Sequence, residues 1–329
     1  MPLDDARPKT IIGNRVTAHT RSLYPIIQAP MTWIARAPLV TAVSAAGGLG
    51  LLENSSRDLS ITQREFAAIR AATNQPFGVN LPVRFLKVDE REESAIIDWL
   101  LENKIHFVTT SAGDPTRYAR RLKDAGVVVY HAVPTLKGAL KALDAGCDGL
   151  IVEGAESAGI RGEEEVHSFV LLQAVRGKVD APIIAAGGIV DGRGMAAAFA
   201  LGADGVAMGT RFVASRESPV HPAYKEAIVA AGAAGTILTP RPPRANSRSL
   251  RTPYAEGLKA SGQERGPIGS VIESLYIGGD VDNSAGAAGE TAGLIHEIKP
   301  VAEIVEETMR GFWREVDRLA ALRPMAIAV

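Results

Sequence analysis

The chain has 329 residues, 46% of them hydrophobic, with a formal net charge of −1. That length and apolar content suit one large α/β domain with a substantial core, and the near-neutral balance argues against nucleic-acid and membrane-surface partners, which call for a basic excess. The lone cysteine, Cys147, rules out an intrachain disulfide; no apolar run approaches the ~18 residues of a membrane span, and the amino-terminal stretch lacks a signal-peptide core, so a cytoplasmic protein is expected.

Along the chain, a strand-then-helix alternation repeats eight times. Apolar strand candidates are 26–29, 48–52, 77–81, 105–109, 127–131, 149–152, 182–185 and 204–208. Helical periodicity fills 37–46, 61–72, 90–103, 115–125, 136–145, 166–176 and 192–201. Several of these helices close on a glycine or asparagine: Gly47, Asn103, Gly126, Gly146 and Gly202. The even spacing and the strand count predict a closed parallel (β/α)8 barrel, the TIM barrel, rather than an open doubly wound sheet. Cys147, between a helix and a strand, reads as a buried structural thiol.

After Val213 the alternation stops. Residues 221–233 are expected to form the eighth barrel helix. The stretch from Thr239 to Gly269 is rich in Pro, Arg and Gly; Arg241, Arg244, Arg248 and Arg251 either guide an anionic substrate or belong to a solvated loop. We expect an insertion of about 236–295 to act as a lid across the barrel mouth, within a single domain spanning 1–329. A final amphipathic helix over 301–322, with Val301, Ile304, Val305, Met309, Phe312, Val316 and Leu319 on one stripe, serves either the core or a homodimer contact.

The most informative stretch is Ala181 to Phe212, APIIAAGGIVDGRGMAAAFALGADGVAMGTRF. Two strand-like runs end in Gly187-Gly188 and in Gly209-Thr210, with an alanine-rich helix between them. In such barrels the loops after the last two strands commonly hold a phosphate, because bare backbone amides at those ends approach an anion closely. The remaining strand ends bring Gln28-Ala29-Pro30-Met31, Gly78-Val79-Asn80, His131 and the segment Glu153 to Gly159 to the same rim. His131 is therefore either an acid–base group or a satisfied core histidine.

Together PIIQAPM (25–31), AAGGLG (45–50), FGVN (77–80), VEGAESAG (152–159), PIIAAGGIVDGRG (182–194) and MGTRF (208–212) resemble the nitronate monooxygenase family, formerly the 2-nitropropane dioxygenases. Flavin-dependent enoyl-acyl-carrier-protein reductases and NADH:quinone reductases share this barrel. The resemblance covers residues from about 20 to 320. It implies FMN as cofactor, with Ala29, Pro30 and Met31 along the flavin ring, Asn80 and Glu153 as polar contacts, and Gly159, Gly187, Gly188, Gly209 and Thr210 around the phosphate. The absence of a dinucleotide fingerprint GxGxxG speaks against a flavin carrying ADP. The series Gly286, Gly289, Gly293 resembles a family segment that returns toward the flavin.

One departure bears on chemistry. Many members read AGH-x-G after the sixth strand, the histidine standing over the flavin; here the text is Ala158-Gly159-Ile160-Arg161-Gly162. Isoleucine cannot move a proton, whereas a histidine with a pKa near ~6.5 can. His131, His167 and Glu156 are the candidate replacements, His131 first, and Arg161 is an alternative partner for an anionic substrate. A preformed nitronate needs no base. Ala132 stands where some relatives carry lysine. Three functions follow: FMN-dependent oxidation of a nitronate-like small molecule by O2, NAD(P)H-fed reduction of a quinone or enoyl thioester with NADH or NADPH as co-substrate, or flavin binding without catalysis.

Overall fold

Strands β1 (Ile26–Gln28), β2 (Gly50–Leu52), β3 (Phe77–Pro82), β4 (Phe107–Ser111), β5 (Val128–Val133), β6 (Gly149–Glu153), β8 (Ile183–Ala186) and β9 (Gly205–Met208) pair in parallel in the order β1-β9-β8-β6-β5-β4-β3-β2. This is a computed structural model, and it describes residues 7–56, 58–83, 90–161, 164–241, 245–264 and 266–322. The barrel closes between β1 and β2 through a single parallel bridge, Ile27 to Leu49. There Leu49 N donates to the Ile26 carbonyl and Gln28 N to the Leu49 carbonyl, each at 2.9 Å. The Gln28 carboxamide extends the seam, accepting from Leu51 N at 3.3 Å and donating to the Leu51 carbonyl at 3.4 Å. The expected (β/α)8 barrel is the fold.

Side chains alternate along each strand. One set, including Ile27, Leu51, Phe107, Tyr130, Ile151, Ile184 and Ala207, fills the barrel interior. The other, including Ile26, Leu52, Val108, Val129, Val133, Val152 and Val206, packs against the surrounding helices. Tyr130 fits inside because its neighbour is Gly149, where a Cβ would stand 2.3 Å from the ring. Cys147 is buried, and burial pushes its thiol up to about 12, which removes it as a nucleophile at neutral pH.

Element boundaries differ from the expected ones by a few residues, with three informative exceptions. The helix expected to close on Asn103 turns instead at Lys104, with φ 53°. The helix expected over 115–125 is a 3-10 turn, Pro115–Arg117, followed by a helix at Ala119–Asp124. A short helix, Thr210–Val213, follows β9 directly, ahead of the eighth barrel helix at Pro222–Val229.

The insertion is more ordered than its composition indicates. Strands β10 (Thr236–Arg241) and β11 (Ala245–Leu250) form an antiparallel pair, and β11 pairs in turn with a short strand β7 (Gly159–Arg161). β10 lies at the sheet edge, the place in a sheet where a proline such as Pro240 is tolerated. Helical segments follow at Pro253–Ser261 and Ile268–Ile277. Of the four arginines, Arg248 is buried, Arg251 pairs with Glu256 at 3.1 Å, Arg241 ends β10, and Arg244 lies outside the described residues.

The last helix, Val301–Ala320, buries Val301, Ile304, Val305, Met309 and Phe312 within the chain. It crosses the helix Gly192–Ala200 so closely that a Cβ on Gly192 would come within 2.1 Å of Phe312 N. The stripe is core as far as Phe312.

Candidate active site

The strand ends do converge on one rim. After β1, Ala29 N donates to the Met208 carbonyl at 3.0 Å, which lays Ala29-Pro30-Met31 against the end of β9. A Cβ on Gly209 would lie 3.7 Å from both the Ala29 Cβ and the Met31 sulfur. On β3, Asn80 is buried with its Oδ1 accepting from Thr109 Oγ1 at 2.9 Å, and its amide lies 3.4 Å from Ser111 Oγ. At the end of β6, Glu153 pairs with Arg161 at 2.8 Å and accepts from Ser157 Oγ at 2.9 Å. The Glu153 side chain keeps 30% exposure while that of Arg161 keeps 7%, so the carboxylate is the accessible member of the pair.

The glycine turns have the properties of an anion cradle. Gly187 and Gly188 sit at φ 92° and 72°, a region that side chains disfavour. None of the backbone amides of Gly187, Gly188, Gly209 and Thr210 donates to a described residue. The short helix Thr210–Val213 adds its amino-terminal amides beside them. Thr210 Oγ1 accepts from Gly289 N at 2.9 Å, and Glu290 N donates to the Glu156 carbonyl at 3.0 Å. The glycine series of the insertion thus returns to this rim. Donors without protein acceptors, on two adjacent strand ends, fit a phosphate.

Residues 14–311 match the nitronate monooxygenase family. The chain belongs to that family. A nitronate monooxygenase of Pseudomonas aeruginosa is 31% identical over 341 aligned positions, covering 87% of this chain and 96% of the relative. A (3aS,4S,5R,7aS)-5-hydroxy-7a-methyl-1-oxo-octahydro-1H-indene-4-carboxyl-CoA dehydrogenase of Mycobacterium tuberculosis is 36% identical over 246, covering 74% of this chain and 67% of the relative. Among solved structures, FabK from Thermotoga maritima superimposes with a TM-score of 0.86 at 39% identity, covering 94% of this chain and 99% of FabK. These relatives make the protein a flavin-dependent oxidoreductase. Among the described residues no helix is long and apolar enough to cross a membrane.

The family's histidine position, Ile160, lies on β7 opposite Ser247 and is half-buried. The candidate replacements are dispersed. His131 alternates with Tyr130, whose ring fills the barrel interior, and shares its parity with Val129 and Val133 of the helix-facing layer, so it points away from the mouth. Its Nδ1 lies 2.7 Å from Thr110 Oγ1, and burial pulls its pKa down to about 4. His167 is exposed at the start of the helix Ser168–Arg176. The Glu156 carboxylate is buried and accepts from Ser168 N at 3.2 Å and from the Ser168 hydroxyl.

A neutral buried histidine has a stability signature. The unfolded chain takes up a proton near ~6.5 and the folded one only near 4, so His131 contributes stability that is complete above ~6.5 and falls away toward pH 4. The contribution is on the order of 3 kcal/mol. Urea midpoints of His131→Gln measured across that window should fall less steeply with acid than those of the unsubstituted protein. An unchanged slope would place the titrating group elsewhere.

Glu53 escaped the sequence reading. It follows β2, is 5% exposed, accepts from Ser55 N at 2.8 Å and stands 3.5 Å from Arg36. In the sequence it closes the run Leu51-Leu52, and an acid placed there was the signal available. Beside the cradle a cleft of about 490 Å³ opens between the helix Gly192–Ala200 and the last helix. Its charges are largely paired internally, Arg193 with Glu315 and Lys299 with Glu297, Glu303 and Glu307.

Proposed function

We propose that this protein binds FMN and oxidises a nitronate-like carbanion with O2. The free amides on the ends of β8 and β9 carry that reading. Gly187, Gly188, Gly209 and Thr210, with Gly159 beside them, would hold the phosphate, and Ala29, Pro30 and Met31 would line the ring. Asn80 and Glu153 would meet its polar edge. FMN, when bound, accepts the electrons of the carbanion and passes them to O2. The chain's own part is to fix the phosphate, present the inward polar groups and exclude bulk water. His131, buried, uncharged and turned from the mouth, serves packing in this reading and not proton transfer.

A second reading has its own support: FabK and the carboxyl-CoA dehydrogenase are among the relatives, so reduction of an enoyl thioester or quinone by NADH or NADPH uses the same mouth. Anaerobic mixing separates the two. Bleaching of the flavin by ethyl nitronate with no response to NADH or NADPH supports oxidation of the carbanion; bleaching by a nicotinamide alone overturns it in favour of the reductase. Acting as a single cytoplasmic domain, the protein is read as taking a small-molecule substrate, in a monomer or a homodimer.

The insertion of about 236–295 is read as a cover for the mouth, supported by the contacts of Gly289 and Glu290 with Thr210 and Glu156. Limited proteolysis between Pro240 and Gly266 should slow when substrate saturates the enzyme. Equal cleavage with and without substrate removes the cover from the mechanism.

A further inference from the structure

Arg161 stands next to the position where relatives carry histidine, and its guanidinium reaches along the whole turn that joins β6 to β7. Nη1 donates to the Gly154 carbonyl and to Ser157 Oγ, both at 3.0 Å. Nη2 donates to Glu153 Oε1 at 2.8 Å and to the Ala158 carbonyl at 3.1 Å. The residue as a whole is 6% exposed. A cavity beside it, lined also by Pro134, Glu153, Ala155, Glu164 and Val166, measures about 10 Å³, which accommodates no more than one water. A substrate anion does not reach the guanidinium through that space. Both terminal nitrogens of Arg161 are committed to protein atoms, while its Nε is buried without a hydrogen-bond partner among the described residues.

What those atoms have in common is position. Four carbonyls of the turn are held by partners: Gly154 and Ala158 by Arg161, Ala155 by Arg248 Nε at 3.2 Å, and Glu156 by Glu290 N at 3.0 Å. The amides of Glu156 and Ala158 donate to no described residue. The turn lies against the cradle, since a Cβ on Gly187 would meet Ser157 Oγ at 3.3 Å. Carbonyl oxygens repel a phosphate and amides attract it, so holding the carbonyls sets the polarity that the cradle presents. The same guanidinium anchors the Glu153 carboxylate at the inner rim.

We propose that Arg161 is a positioning residue for the flavin site, locking the 153–158 turn and Glu153 in the arrangement that receives the cofactor. The proposal rests on the flavin reading given above. The register of β7 with β11, Arg161 opposite Asn246, fixes where the arginine starts, so the sheet built by the insertion also sets the cofactor turn. A lysine offers charge without the planar fork, and a methionine offers neither.

The test uses the full-length flavoprotein and its Arg161→Met, Arg161→Lys, Glu153→Gln and Arg161→Met/Glu153→Gln forms. FMN is rebound to apoprotein, the dissociation constant is read from flavin fluorescence well below each melting temperature, and the bound absorption spectrum is recorded. Arg161→Met should weaken FMN by ~10- to 100-fold, the size expected for charge-assisted hydrogen bonds lost to one partner, and alter the bound spectrum. Arg161→Lys should recover part of the affinity, and the double substitution should cost less than the sum of the single ones. Wild-type affinity and spectrum in Arg161→Met overturn the proposal, including when its melting temperature falls. If Arg161→Met does not fold, Arg161→Lys decides by the same two readouts, with unchanged values overturning it. A wild-type protein that takes up no flavin overturns the flavin reading itself, and this proposal with it.

Discussion

Gly188→Asp should purify without flavin. At φ 72° any side chain is strained, and here the new Cβ would also stand 2.9 Å from Glu156 Oε1. The left-handed backbone costs ~1–2 kcal/mol for a non-glycine residue. A carboxylate set ~4 Å from a phosphate adds about 4 kcal/mol of repulsion for each unit of phosphate charge near a protein surface. The backbone strain burdens the apoprotein and the flavoprotein alike, so the loss of affinity comes from the repulsion, on the order of 1,000-fold per unit of phosphate charge. Gly188→Asn has nearly the same shape and no charge, so it isolates the steric part and should retain more flavin than the aspartate form. The measurement is flavin absorbance per protein after gel filtration. A full complement of flavin in Gly188→Asp would falsify the phosphate assignment.

Ethyl nitronate should be turned over ~10²- to 10⁴-fold faster than nitroethane, the span usually contributed by a positioned acid–base group. Ile160 cannot take the proton from the neutral nitroalkane. His131 faces the helices, His167 stands at an exposed helix start, and the Glu156 carboxylate is occupied by Ser168. Ile160→His should then raise nitroethane turnover with little effect on the nitronate. Equal rates for the two substrates in the unsubstituted enzyme would show that another side chain supplies the base, and the prediction would be wrong.

The barrel could be read from the chain because each of its units carries its signal locally: an apolar strand, a helix and a turn residue within some 20–30 positions. The glycine-bearing turns at 187–188 and 209–210 were legible for the same reason. The small sheet was not. Gly159-Ile160-Arg161 has no strand pattern of its own and becomes a strand through pairing with Asn246 to Arg248, across more than eighty residues of sequence. Nor could the sequence show that Arg161 and Arg248 are buried, since their acceptors are mostly backbone carbonyls, with Glu153 and Ser157 for Arg161 and a distant carboxylate, Glu290, 2.9 Å from Arg248. His131 is a different case. Val129, His131 and Val133 share one parity, and strand alternation applied to that run points the histidine toward the helices from sequence alone.

The seam between β1 and β2 sets where this barrel breathes. Other neighbouring barrel strands share runs of three or four paired residues, whereas this join has one bridge and a side-chain amide. Native-state amide exchange should therefore find Leu49 and Leu51 opening at lower free energy than the amides of β4 and β5. Ala29, Pro30 and Met31 hang directly from that join. Opening at that join would loosen the wall carrying Ala29, Pro30 and Met31 before the rest of the barrel, so passage through the mouth would track the exchange of Leu49 and Leu51 and not that of β4 and β5. With the ranking as the geometry sets it, the wall is a door hung on the weakest post.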